Sequence, residues 1–176
     1  MPTYALPSTL FILINAVCFQ LVWWSGVIAQ NQLIILSILL IIGHFLLSNS
    51  ARHDALLMGV GGAIGIVVDS LLVWFGVFEF NIIPYWLAIL WCYFALSLDY
   101  SLAFFKTLPL WLQSILGGVF GCLSYLTGAK FDAVVLPLGY EKSALILALI
   151  WSGLFPVLVW VSKRIAPANM VLENNQ

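Results

Sequence analysis

Apolar residues run along this chain in blocks of sixteen to twenty-four, separated by short polar or turn-forming segments. A helix that crosses ~30 Å of hydrocarbon needs ~20 mostly apolar residues. Six blocks meet or approach that length: 9–29, 33–48, 55–78, 84–105, 109–127 and 143–162. The separators suit this division. Gln30-Asn31-Gln32 is a tight polar turn. Asn49 to Asp54, NSARHD, reads as a solvated polar loop, with Asp54 placed to cap the third helix. Pro84 and Pro109 fall where helices begin and a missing N–H is harmless. The pattern predicts an all-α, polytopic membrane helix bundle with six transmembrane helices in one integral membrane domain over residues 1–176.

Composition strengthens that reading. Of the 176 residues 64% are hydrophobic and 7% charged, and the mean hydropathy is +1.12. Soluble domains carry ~25% charged residues. No stretch is polar enough to form a separate soluble domain, and no basic cluster offers nucleic acid a surface. Cys18, Cys92 and Cys122 each lie in an apolar block, odd in number and without a CxxC pair. They read as small packing residues rather than a disulfide or metal framework. The first block follows MPTYALP, which lacks a basic n-region, and reads as a retained helix rather than a cleaved leader.

Six crossings place both termini on one side. That side carries Arg52, Lys106, Lys163 and Arg164, against Lys130 and Lys142 on the other. Lys and Arg favour the cytoplasm, so both termini are expected there. Trp23, Trp24, Trp74, Tyr85 and Trp86 fall where an outer aromatic belt belongs, and Trp111 and Trp160 where an inner one does. The longest connection, Gly128 to Lys142, holds an apolar VVLPLG core. It is too short to span, leaving a re-entrant piece or a loop packed on the bundle end.

Small residues recur in an ordered way. Gly61-Gly62-Ala63-Ile64-Gly65 in the third block matches Gly117-Gly118-Val119-Phe120-Gly121 in the fifth. Leu87-Ala88-Ile89-Leu90-Trp91 in the fourth resembles Leu147-Ala148-Leu149-Ile150-Trp151 in the sixth. The offsets, 56 and 60 residues, suggest two similar hairpins related by an axis near the membrane normal. Gly61/Gly65 and Gly117/Gly121 are GxxxG pairs, the spacing at which helices approach closely in a membrane.

Polar residues at depth are the candidate chemistry. Asp69 has no other charge near it in a long apolar block, and a carboxylate there costs ~2.5–3.5 kcal/mol on insertion scales. Gly65 and Gly61 lie one and two turns before it, so it should face the bundle interior and bond to His44 or Gln20. His44 shares a helix face with Ser37 and Ser48. Asn15 and Gln20 are inward-facing candidates in the first block, and Asp99 falls near the cytoplasmic interface beside Lys106. Asp69, His44, Gln20, Asn15 and Asp99 are thus the candidate ligand-binding set. No motif for a nucleophile elbow, a zinc pair or a nucleotide loop occurs, so no metal or cofactor is expected.

The ordered motifs NAVCFQLVWWSGVIA, His44, GxxGxxxD ending at Asp69, PYWLAILWCYFALSLDYSL and LGGVFGCLSYLTGAKFDA resemble an uncharacterised bacterial inner-membrane family, domain of unknown function 2878. The resemblance reaches to about Trp160; Asp99 and Cys122 are not carried over from it. It implies a small multi-pass protein of the bacterial cell inner membrane, with gene neighbourhoods that point to membrane-lipid modification. The expected function is binding or presenting a hydrophobic, lipid-like molecule in support of such a pathway. One alternative is a small transporter or substrate-binding subunit resembling energy-coupling-factor S components. A second is a membrane-embedded enzyme using Asp69 and His44 for proton transfer. The bilayer is the first partner, with room for a membrane-protein partner or a homo-oligomer.

Overall fold

The structure, a computed structural model, describes residues 8–80, 82 and 84–165. Six α-helices follow in order: α1 (Ser8–Ala29), α2 (Ile34–Leu47), α3 (Ala51–Trp74), α4 (Tyr85–Ser97), α5 (Leu110–Lys130) and α6 (Tyr140–Ile165). Two 3-10 turns, Gln30–Leu33 and Ala103–Thr107, link α1 to α2 and precede α5. No strand forms among the described residues; one isolated bridge pairs Glu79 with Val135.

Among the described residues, four helical stretches are long and apolar enough to cross a membrane: Thr9–Leu47, Ala51–Trp74, Leu110–Lys130 and Tyr140–Ile165. The first is bent. Gln30 takes a left-handed φ of 48°, and the chain reverses there. Ser25 then meets Ser37 at 3.2 Å, and the Phe11 ring lies 5.3 Å from that of His44, so α1 and α2 run antiparallel. At ~1.5 Å per residue, α4 is shorter than the hydrocarbon layer. The block expected over 84–105 is therefore not one helix: it ends at Ser97, turns, and closes with the 3-10 turn Ala103–Thr107.

The third block is also shorter than its apolar run. α3 stops at Trp74 because Gly76 adopts φ 67° and forms a Schellman cap, Gly76 N–H to the Val73 carbonyl and Val77 N–H to that of Leu72. α5 ends the same way. Asp132 takes φ 57°, and the N–H groups of Asp132 and Ala133 bond the carbonyls of Ala129 and Gly128. The segment before α6 is a loop packed on the bundle end, with Ala133 and Val134 buried.

These two caps are 56 residues apart, and so is much else. A Cβ on Gly61 would meet Ala95, one on Gly62 would meet Cys92, and one on Gly65 would run into the Trp91 ring. In the second hairpin the corresponding obstacles are Phe155 for Gly117, Ser152 for Gly118 and the Trp151 ring for Gly121. Each glycine moves by 56 positions and each obstacle by 60, so α3–α4 and α5–α6 share one packing register. Equivalent residues also meet each other. Trp91 and Trp151 stack with centroids 5.4 Å apart and planes 8° from parallel. Tyr125 bonds Asp69, and Glu79 bridges Val135, each pair offset by 56. Contacts of this kind are what two similar hairpins make when they pack face to face across a shared seam, here marked by the Trp91–Trp151 stack.

Candidate functional site

One face of α3 carries Asp54, Leu57, Gly61, Gly65, Asp69 and Leu72, all buried. Their spacing of three and four residues is that of a single helix face. Asp69 is 5% exposed and receives two hydrogen bonds, from Trp91 Nε1 at 2.5 Å and the Tyr125 hydroxyl at 2.6 Å. The inward orientation holds, but the partners are aromatic donors on α4 and α5. His44 is engaged elsewhere, because α2 packs on α1 and α4 and lies away from Asp69, and Gln20 is an exposed residue on α1 at the cavity described next.

Trp91 and Tyr125 are walls of an open-sided cavity of about 550 Å³ bordered by α1, α4, α5 and α6. Its lining is rich in aromatic rings, including Phe19, Trp23, Phe80, Trp86, Phe94, Phe120, Trp151 and Phe155, and holds no charged residue among the described residues. Gln20, Ser124 and Thr127 supply the polar atoms besides the ring donors. Asp69 stands behind this wall and is a positioning residue for the two rings. Trp23 Nε1 donates to Ser124 Oγ at 2.8 Å, joining α1 to α5. Gln30 Nε2 donates to the Asp132 carbonyl at 3.2 Å and ties the outer ends together.

The two hairpins do not pack equivalently around this space. α3 packs against α6, but α5 and α4 do not form the equivalent close approach. The space between them is the cavity, with α1 laid along it. Trp86 is turned inward here, buried against Gly26, instead of joining an outer belt; Trp74, Trp111 and Trp160 remain exposed.

A second polar region occupies the opposite end of the bundle. Asp54 is fully buried and caps nothing; it receives hydrogen bonds from Ser48 at 2.5 Å and the Tyr100 hydroxyl at 2.9 Å, and faces His44 Nε2 at 3.2 Å. His53 Nε2 meets Asp99 at 2.5 Å, and Asp99 also binds Lys106 at 2.5 Å and the Ser162 hydroxyl. His53 Nδ1 lies 3.2 Å from the Ile165 carbonyl. The Arg52-His53-Asp54 triplet is thus the first turn of α3 rather than a solvated loop. It closes the bundle end by tying α2, α3, the turn after α4, and α6.

The five expected site residues therefore separate. Asn15 and His44 line a smaller cavity between α1, α2 and α4, Gln20 lines the large one, Asp69 braces its wall, and Asp99 lies in the end network. Tyr125, Trp91 and Asp54 were missed. Asp54 was legible as a further member of the Asp69 helix face. Among the described residues no three His, Cys, Asp or Glu side chains gather as a metal site.

Apolar helices of this length around an uncharged aromatic cavity define a multi-pass membrane protein. The chain belongs to the family described as protein of unknown function (DUF2878), whose model matches residues 12–157. No curated protein and no solved structure matches it.

Proposed function

We propose that this chain binds an apolar, lipid-like molecule in the aromatic cavity and holds or presents it within the bilayer. The carrying observation is the unequal packing of the two hairpins. Where α3 closes on α6, the equivalent α5–α4 approach is open and lined with aromatic rings. A volume of about 550 Å³ suits a drug-sized molecule or part of a lipid chain. An uncharged lining favours an apolar occupant, and the few polar atoms can orient one hydroxyl or carbonyl. Support of a membrane-lipid modification pathway in the bacterial inner membrane is part of this proposal. So is a six-crossing path with both termini cytoplasmic, in which α2 and α4 cross with help from their flanking turns.

The enzyme reading has less support, since Asp69 and His44 belong to separate networks and face no common space. Native mass spectrometry of the full chain, purified in mild detergent from its own membranes, tests the binding reading. A retained apolar molecule is expected. It should be lost in Leu116→Trp and Ser124→Phe, which fill the cavity, provided both variants melt cooperatively. A parent protein that carries nothing, or a load unchanged in both variants, would overturn the proposal. A copurifying ATPase module in place of a bound molecule would favour the transporter class.

A further inference from the structure

The smaller cavity, of about 100 Å³, lies between α1, α2 and α4 and is apart from the aromatic one. Phe11, Leu39, Leu40 and Leu47 give it apolar walls, and Asn15 and His44 are its polar residues together with Tyr93. Asn15 and His44 are 1% and 4% exposed. Among the described residues, Asn15 Nδ2 and His44 Nδ1 are the buried side-chain nitrogen or oxygen atoms without a hydrogen-bond partner. Buried polar atoms in folded proteins are rarely left so, which makes these two a specific question.

Their chemistry is fixed by what their other ends do. The Ser101 backbone N–H, which can only donate, reaches Asn15 Oδ1 at 3.2 Å, and the Ser101 hydroxyl donates to the same oxygen at 2.6 Å. The Asn15 oxygen is therefore engaged, and the free group is its NH₂, a donor. His44 Nε2 faces the Asp54 carboxylate, which also accepts from Ser48 and Tyr100. A carboxylate only accepts, so Nε2 is placed to donate to it, and in that tautomer of the ring Nδ1 is an acceptor. The two residues that carry this donor and this acceptor line the same small apolar space. A hydroxyl group answers both, since it accepts and donates at one oxygen.

We propose that this cavity is a hydroxyl-binding site, in which one O–H accepts from Asn15 Nδ2 and donates to His44 Nδ1. The volume exceeds the ~10–15 Å³ needed by one water, so it takes the CH₂OH end of an apolar alcohol as readily as ordered water. The wall at Gly43 supports entry, because a Cβ built there meets nothing within 4 Å.

The test uses the full chain in lipid nanodiscs, with 1-octanol and n-nonane as matched additives. In the parent, octanol should raise the melting temperature above its value with nonane. Two variants should remove that difference. Asn15→Asp keeps the acceptor for Ser101 but replaces the free donor with an acceptor. Gly43→Leu fills the space without replacing either polar residue, and keeps the test open if Asn15→Asp fails to fold. Water-to-side-chain cross-peaks in nuclear magnetic resonance then separate the sources of the hydroxyl. A cross-peak from water to the Asn15 amide that octanol displaces assigns the site to an alcohol. One that persists, with no octanol-specific shift, assigns it to water. Absence of both the cross-peak and the octanol-specific shift overturns the proposal, as does an octanol shift that survives in every variant that folds.

Discussion

Asp69 shows how a single costly residue is made tolerable. A carboxylate at bilayer depth costs ~2.5–3.5 kcal/mol, and here two ring donors meet it, one on each oxygen. In return it fixes the rotamers of Trp91 and Tyr125, which form the cavity wall. Asp69→Asn keeps the size and one strong acceptor, and the Tyr125 hydroxyl can turn to accept from the new amide. A loss of about 1 kcal/mol or less is expected. Asp69→Leu leaves the Trp91 N–H and the Tyr125 O–H buried and unpaired, at about 1–3 kcal/mol for each stranded donor. Denaturant unfolding of the purified variants measures the contrast. A leucine variant as stable as the parent would mean that packing alone holds the rings.

At the scale of elements, the glycine positions divide into two kinds. Gly65 and Gly121 each lie under a tryptophan ring, and even a methyl group would collide with the indole. Their leucine variants should fail to fold, and their alanine variants should already be destabilised. Helices without a hydrophobic drive between them hold together by close packing, which the methyl group prevents. Gly43 and Gly153 meet nothing within 4 Å. Replacing either by alanine removes backbone freedom without a clash and should stabilise by about 0.5–1 kcal/mol. Thermal melts of the four alanine variants should therefore fall into two pairs of opposite sign. Equal behaviour of Gly65→Ala and Gly43→Ala would contradict the packing described.

At the scale of the whole molecule, polar connections collect at the two ends. One end holds the α1–α2 turn, the Glu79–Val135 bridge and the start of α4, where the Trp86 N–H bonds Asn31 Oδ1 at 3.0 Å. The other holds His53, Asp99, Lys106 and the end of α6. Four of the chain's six Lys and Arg residues, Arg52, Lys106, Lys163 and Arg164, belong to this second end. Because positive charge favours the cytoplasm, reporters fused after His53 or Lys106 should read cytoplasmic. Those fused after Asn31 or Asp132 should read periplasmic. A cytoplasmic signal at Asp132 would refute the six-crossing path or its direction.

Apolar blocks and turn residues determined, by themselves, that the chain is helical and membrane-embedded, because block length and the placement of Gly and Pro are local properties. The GGxxG and LAxxW repeats likewise suggested two similar hairpins, whereas the end of α3 at Trp74, inside the block 55–78, was decided by the left-handed turn at Gly76. Helix faces were legible too, which is why Asp69 could be placed inward before its surroundings were known. Its partners were not legible. Tyr125 is 56 residues away, and its meeting with Asp69 follows from how the two hairpins pack on each other, which no local pattern encodes. Asp54 looked like a loop residue because its neighbours are polar, yet α2, α3 and the turn after α4 close over it. The cavity is the clearest tertiary decision. The repeats suggest two similar hairpins; only the packed bundle shows that one of two equivalent helix approaches stays open, and aromatic rings line the gap.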